Sequence, residues 1–190
     1  MDSTIKQEVY NALKNLNNGN TILYPTDTVW GLGCDATNAQ AVSKIYKLKK
    51  REESKALICL VKDLDMLKSF VKDIPNSIVQ LLNSVSKPTS VIYNSPVGLA
   101  ENLIAQDNTI AIRIVNQEFC NKLLEEFGKP IVSTSANISG ESTPNSFKEI
   151  HKDILKGVDY VVNLQNEKTE TKPSSILKVE SDGSITVIRE

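Results

Sequence analysis

Three polar clusters stand at the ends of apolar runs, where a buried polar group needs a partner to offset its lost hydration. The first is Pro25-Thr26-Asp27-Thr28-Val29-Trp30-Gly31-Leu32-Gly33, directly after Thr21-Ile22-Leu23-Tyr24. Its hydroxyls can donate to a carboxylate or a phosphate, and its glycines would let backbone N–H groups approach a ligand closely. An Asx-type turn packed by Trp30 explains the same residues with no ligand at all.

The second cluster spans 44–55, with six basic and two acidic residues. Lys44, Lys47, Lys50 and Arg51 recur at near-helical spacing opposite Ile45 and Leu48, which also describes an ordinary solvated helix face. Lys49, Arg51 and Lys55 fall where a helix turns into the apolar run 56–61. Cations there could hold a triphosphate, arginine by its fork and lysine as a point charge. The third cluster, Ser133 to Pro144, puts six hydroxyls and Asn137 after Ile131-Val132. Ligands of open α/β sheets bind outside the carboxyl ends of strands, where this segment should lie. Gly31-Leu32-Gly33-Cys34-Asp35-Ala36 fits a relaxed dinucleotide fingerprint, but it neither directly follows a strand nor opens a helix.

The elements that must position these clusters alternate. Helices are predicted from a Ser3 cap to Leu16, over 38–48, 63–71 and 75–84, from Phe119 to Phe127, and from a Ser146 cap to about Leu155. Strands are predicted at 21–24, 56–61, 89–93, 109–114, 130–133, 160–162, 175–179 and 185–188, the last two joined by an Asp182-Gly183 turn into an antiparallel hairpin. The pattern predicts an α/β chain with partly parallel, buried strands, made mixed by the closing hairpin. The polar stretch 163–171 reads as a mobile surface loop.

Composition sets outer limits. The 190 residues carry 22 Lys and Arg against 23 Asp and Glu, a formal charge of −1, so the chain as a whole is no polybasic nucleic-acid binder. Cys34, Cys59 and Cys120 lack metal or CxxC spacing and sit among apolar residues, as buried free thiols in a reducing cytoplasm would. One histidine, His151, excludes any multi-histidine metal site. No apolar run approaches the roughly 18 residues of a membrane span, and the first residues lack the order of a signal peptide.

Taken together, the clusters resemble the YrdC-type family of threonylcarbamoyl-AMP synthases in its short, single-domain form. The marks are Tyr24-Pro-Thr-Asp-Thr-Val-Trp-Gly-Leu-Gly33, Lys49-x-Arg51-x-x-x-Lys55, Thr109-Ile-Ala-Ile-Arg113, Ser133-Thr-Ser-Ala-Asn-Ile-Ser-Gly140, Pro173-Ser-Ser-Ile-Leu177 and Val187-Ile-Arg189, in the family's order. The resemblance implies one YrdC-like domain over 1–190, a twisted open mixed sheet flanked by helices with a positive concave face. It implies a synthase that combines L-threonine, bicarbonate and ATP into threonylcarbamoyl-AMP and pyrophosphate. A partner complex would then transfer the threonylcarbamoyl group to tRNA in the cytoplasm.

By the same resemblance Thr28, Arg113 and Ser174 hold threonine. Lys49, Arg51 and Lys55 clamp the triphosphate and carbamate as the catalytic set. Arg51 and Lys55 with Thr109, Ser133, Ser135, Asn137, Thr143 and Arg189 contact the nucleotide. Mg²⁺ is expected to ride on the phosphates. The chain departs from the family pattern at Leu60 (often His), at Ser86-Lys87-Pro88 (often Pro-Gly-Pro), at Ala56 (Pro) and at Trp30 (Tyr or Phe). An alternative of another class is a non-catalytic module that binds structured RNA or tRNA through the same basic face, with steep salt dependence. A third is a carbamoyl-transfer domain of the same superfamily, which usually lies within much longer chains.

Overall fold

An acid ahead of an amphipathic run starts the fold. The Asp2 carboxylate accepts the Thr4 N–H at 3.0 Å and caps helix α1 (Ser3–Asn17), so the cap lies one residue before Ser3. The computed structural model describes residues 2–52, 56–164, 172–180 and 182–190. Lys55 and most of the expected surface loop, 165–171, lie outside the described residues.

The strands are β1 (Ile22–Tyr24), β2 (Gly31–Gly33), β3 (Ile58–Val61), β4 (Thr89–Asn94), β5 (Thr109–Ile114), β6 (Ile131–Ser135), β7 (Tyr160–Val161), β8 (Ser175–Val179) and β9 (Ile185–Arg189). They form one sheet in the order β7-β1-β2-β6-β3-β5-β4-β8-β9. Pairs β1–β7, β3–β5 and β4–β8 are parallel, and the other five are antiparallel. Antiparallel pairing is thus not confined to the closing hairpin. The strand that makes the difference is β2, which sequence reading leaves as a loop because Gly-Leu-Gly has little strand propensity.

The remaining helices are α2 (Ala39–Leu48), α3 (Leu64–Phe70), α4 (Asn76–Ser84), α5 (Glu118–Phe127) and α6 (Lys152–Gly157). The single helix expected over 146–155 is instead a 3₁₀ turn, Phe147–Glu149, followed by α6. His151 separates them: its Nδ1 accepts the Asp153 N–H at 3.1 Å, so the lone histidine is a helix cap.

Period-two alternation gives the sheet two unlike faces. On one, Leu23, Leu32, Cys59, Val61, Val91, Tyr93, Ile110, Ile112, Val132 and Leu177 join buried residues of α2, α3, α4 and α6 in the larger core. Trp30 belongs to this core, with its ring 5.0 Å from that of Phe147. On the other face α1 and α5 cover only one side, over Ile22, Tyr24, Leu60 and Ile131. The rest of that face carries Ser133, Ser135, Ile58, Ala111, Arg113, Ser90, Ile92 and Ile176, and no helix covers it among the described residues.

The β2 glycines serve this packing. A Cβ at Gly33 would lie 2.5 Å from the Val132 carbonyl oxygen and 2.7 Å from the Tyr24 ring. Gly33→Ala should therefore cost about 1–3 kcal/mol through overpacking, read as a Tm lower by several degrees. An unchanged Tm would show that the β2–β6 pair yields without cost.

Candidate active site

The uncovered half-face is a cavity of about 320 Å³. The charged residues among those described as lining it are Arg51, Arg113 and Arg189, and the set contains no carboxylate. Hydroxyls come from Thr26, Thr28, Ser133, Thr134, Ser135, Thr143 and Ser174, and the apolar floor from Ile58, Ile92, Ala111 and Ile176. Arg189 and Pro173 also border a neighbouring hollow of about 370 Å³ with Lys87 and Lys172. Such a lining suits an anion several charges strong, bound by charge-assisted and hydroxyl hydrogen bonds.

Proline at 25 turns the chain after β1, and the next residues fold over the end of β5. Arg113 is 4% exposed, and its charge is balanced by Asp27, whose Oδ1 lies 3.1 Å from Nη2. The other Asp27 oxygen accepts the Asn116 N–H at 3.2 Å, which ties the loop to the segment after β5. A buried guanidinium without that partner would be strongly destabilising.

The hydroxyl chain has a direction. Thr26 Oγ1 donates to the Val29 carbonyl at 2.8 Å, so in its 3.0 Å contact with Thr28 the donor must be Thr28. Arg113 Nη1 then donates to Thr28 Oγ1 at 3.2 Å. Thr28 thus turns a lone pair, not a proton, toward any ligand. Arg113 Nε and Asp27 Oδ1 are both buried without a hydrogen-bond partner among the described residues, so the pair is held by charge and not by an aligned hydrogen bond.

Across the sheet, Ser90 pairs in register with Arg113, and its hydroxyl lies 2.8 Å from that of Ser174. Arg189 donates to the Ser174 carbonyl from Nη2 at 2.6 Å and from Nε at 3.1 Å, fixing the turn into β8. Arg51, half-buried past the end of α2, donates from Nη2 to the Ala56 carbonyl at 3.0 Å.

The cavity therefore brings together Thr28, Arg51, Arg113, Ser133, Ser135, Thr143, Ser174 and Arg189. Three residues expected in the site are elsewhere. Lys49 is 1% exposed, and its ammonium is spent on the Ser135 and Asn137 carbonyls rather than facing the cavity. Burial, and secondarily the Arg51 charge, lower its pKa to about 7. Asn137 uses its amide within its own loop, donating to the Ile138 and Glu141 carbonyls. Thr109 points to the same face as Arg113 but at the far end of β5, where its hydroxyl donates to Asp107 at 2.7 Å and lowers that carboxyl's pKa.

Other features resolve as packing. Lys44 donates to the Gly19 carbonyl and lies 3.8 Å from Asp159, and Lys50 lies 3.6 Å from Asp153, so part of the basic helix face is balanced locally. Leu60 is in register with Arg113 but buried beneath α1 and α5. The three cysteines are buried and free; burial pushes the Cys59 thiol up to about 12. Among the described residues no three His, Cys, Asp or Glu side chains gather to hold a metal, and no helix is long and apolar enough to cross a membrane.

Asp27 and Ser90 are site residues that sequence reading did not assign. Asp27 could have been found from the need of a buried arginine for a counter-charge, but Ser90 gives no signal beyond one hydroxyl in an apolar strand.

The Sua5/YciO/YrdC family model, described as telomere recombination, matches residues 14–190. The threonylcarbamoyl-AMP synthase of Pseudoalteromonas translucida is 36% identical over 170 residues, covering 87% of this chain and 89% of that protein. Among solved structures, E. coli YciO superposes with a TM-score of 0.85 at 22% identity, over 97% of this chain and 89% of that one. Sua5 of P. abyssi complexed with L-threonine superposes with a TM-score of 0.84 at 24% identity, over 95% of this chain and 53% of that one. The chain spans about half the length of that Sua5 protein, and at these identities the two structures establish the fold.

Proposed function

The chain belongs to the Sua5/YciO/YrdC family, and from that premise we propose that it is a threonylcarbamoyl-AMP synthase. It joins L-threonine, bicarbonate and ATP into threonylcarbamoyl-AMP and pyrophosphate. The observation that carries this reading is the cavity itself: three arginines and a row of hydroxyls on an uncovered half-face, with no carboxylate among the described lining residues.

Arg113 takes the threonine carboxylate, while the Thr28 lone pair receives an N–H or O–H of the amino acid. Ser174, backed by Ser90, closes that end. Arg51 and Arg189 balance the phosphates, and Ser133, Ser135 and Thr143 are hydroxyl contacts along the rest of the nucleotide. Mg²⁺ comes on the phosphates, in keeping with a lining that has no carboxylate among its described residues.

The amine of threonine adds to the carbon of CO₂ with loss of a proton, or to that of bicarbonate with loss of water, and one oxygen of the resulting carbamate attacks the α-phosphorus. A new P–O bond forms as the bond to pyrophosphate breaks. No enzyme nucleophile is required, so a lining without Cys–His or Ser–His pairs can do the work by alignment and charge balance. The product passes to a tRNA-modifying transferase complex in the cytoplasm. The reading is tested by pyrophosphate release from ATP, expected only when L-threonine and bicarbonate are both present. Release independent of threonine would refute it.

A further inference from the structure

Lys49 is the most deeply buried cation of the molecule among the described residues, at 1% exposed, and nothing in the proposed reaction uses it. It is joined to the chain after β6 at both ends. Its ammonium donates to the Ser135 carbonyl at 2.5 Å and the Asn137 carbonyl at 2.7 Å, and its own carbonyl accepts the Ser139 N–H at 2.8 Å. Asn137 extends the same network. Its Oδ1 accepts the Ser135 hydroxyl at 2.5 Å and lies 3.4 Å from the ammonium, and its Nδ2 holds the Ile138 and Glu141 carbonyls.

We infer that Lys49 is a positioning residue, with Asn137 as its partner, fastening the 135–139 loop so that Ser135 stands fixed at the cavity edge. The consequence for recognition follows from the hydroxyl's single proton. That proton is committed to Asn137, so Ser135 offers the cavity a lone pair. A lone pair accepts from an O–H or N–H donor and repels a phosphate oxygen. Ser135 therefore contacts the nucleoside part of the ligand, its ribose hydroxyls or amino group, and the triphosphate is left to the arginines. This inference rests on the ATP-binding reading above.

The experiment compares wild type, Lys49→Met and Asn137→Ala. Amide hydrogen exchange of the ligand-free proteins should quicken over 136–142 in both variants and stay unchanged over β3–β5. Affinity for adenosine and for ATP should fall by the same factor, roughly tenfold for a lost charged hydrogen bond, while L-threonine affinity holds. KM for ATP should rise with kcat little changed, the signature of lost uniform binding. Unchanged exchange, or ATP affinity lost with adenosine affinity intact, would overturn the inference and return Lys49 to the phosphates. If Lys49→Met does not fold, Asn137→Ala carries the test alone. If wild type binds neither ligand, the ATP reading fails, and the exchange result still decides whether the latch exists.

Discussion

Arg113→Ala is expected to lower kcat/KM for L-threonine by about 10²–10³, the usual cost of removing one buried, hydrogen-bonded member of a charge pair. The loss has two parts, and the geometry separates them. The first is the carboxylate of the amino acid, which would face a cavity end with no cation. The second is Asp27, whose side chain is 10% exposed and 3.1 Å from the Arg113 Nη2. Left alone, that carboxylate is a buried uncompensated charge and lowers stability by about 3–5 kcal/mol. The double variant Asp27→Asn/Arg113→Ala removes the second penalty and leaves the first. It should regain most of the lost Tm and none of the lost threonine affinity, a non-additive result expected of contacting residues. Recovery of threonine binding in the double variant would show that Arg113 serves the fold and not the substrate.

Arg51→Ala is expected to lower ATP turnover at least tenfold while leaving the fold intact. Arg51 is half-buried, and its Nη2 donates to the nearby Ala56 carbonyl. At a half-buried position its truncation exposes no large apolar surface, whereas Arg113 lies in the buried pair with Asp27. Turnover measured beside thermal melting decides the matter. A Tm drop as large as that of Arg113→Ala, with turnover per folded molecule preserved, would make Arg51 a structural residue.

The sequence placed most elements because their signals are local. Apolar runs ending in Pro25 or bounded by Thr109 and Ile114 read as strands, and the Asn38 cap and Gly128 stop mark helix ends. What it could not place depends on long-range packing. Strand β2 exists because Tyr24 needs glycines opposite its ring, a requirement visible only once β1, β2 and β6 are side by side.

The site shows the same division. Hydroxyls at strand ends and the arginines were legible as residue types, and the cavity gathers most of them. Lys49 and Asn137 have the right types and spacing for phosphate work, yet the loop after β6 folds back onto α2's end and consumes their hydrogen bonds. Thr109 shares the parity of Arg113 on β5 but lies at the opposite end of the strand, bonded to Asp107. The net charge of −1 likewise hid a cavity whose described lining carries charge only on three arginines, because the acids, Asp27 beside Arg113 among them, lie outside that lining.

The most direct test of this account follows carbon from bicarbonate. With ¹⁴C-bicarbonate, ATP and L-threonine, the purified protein should form one labelled species containing both AMP and threonine, together with an equal amount of pyrophosphate. Omitting threonine, or replacing Arg113 with alanine, should remove the label and the pyrophosphate together. Pyrophosphate released without label entering a nucleotide adduct would contradict the account.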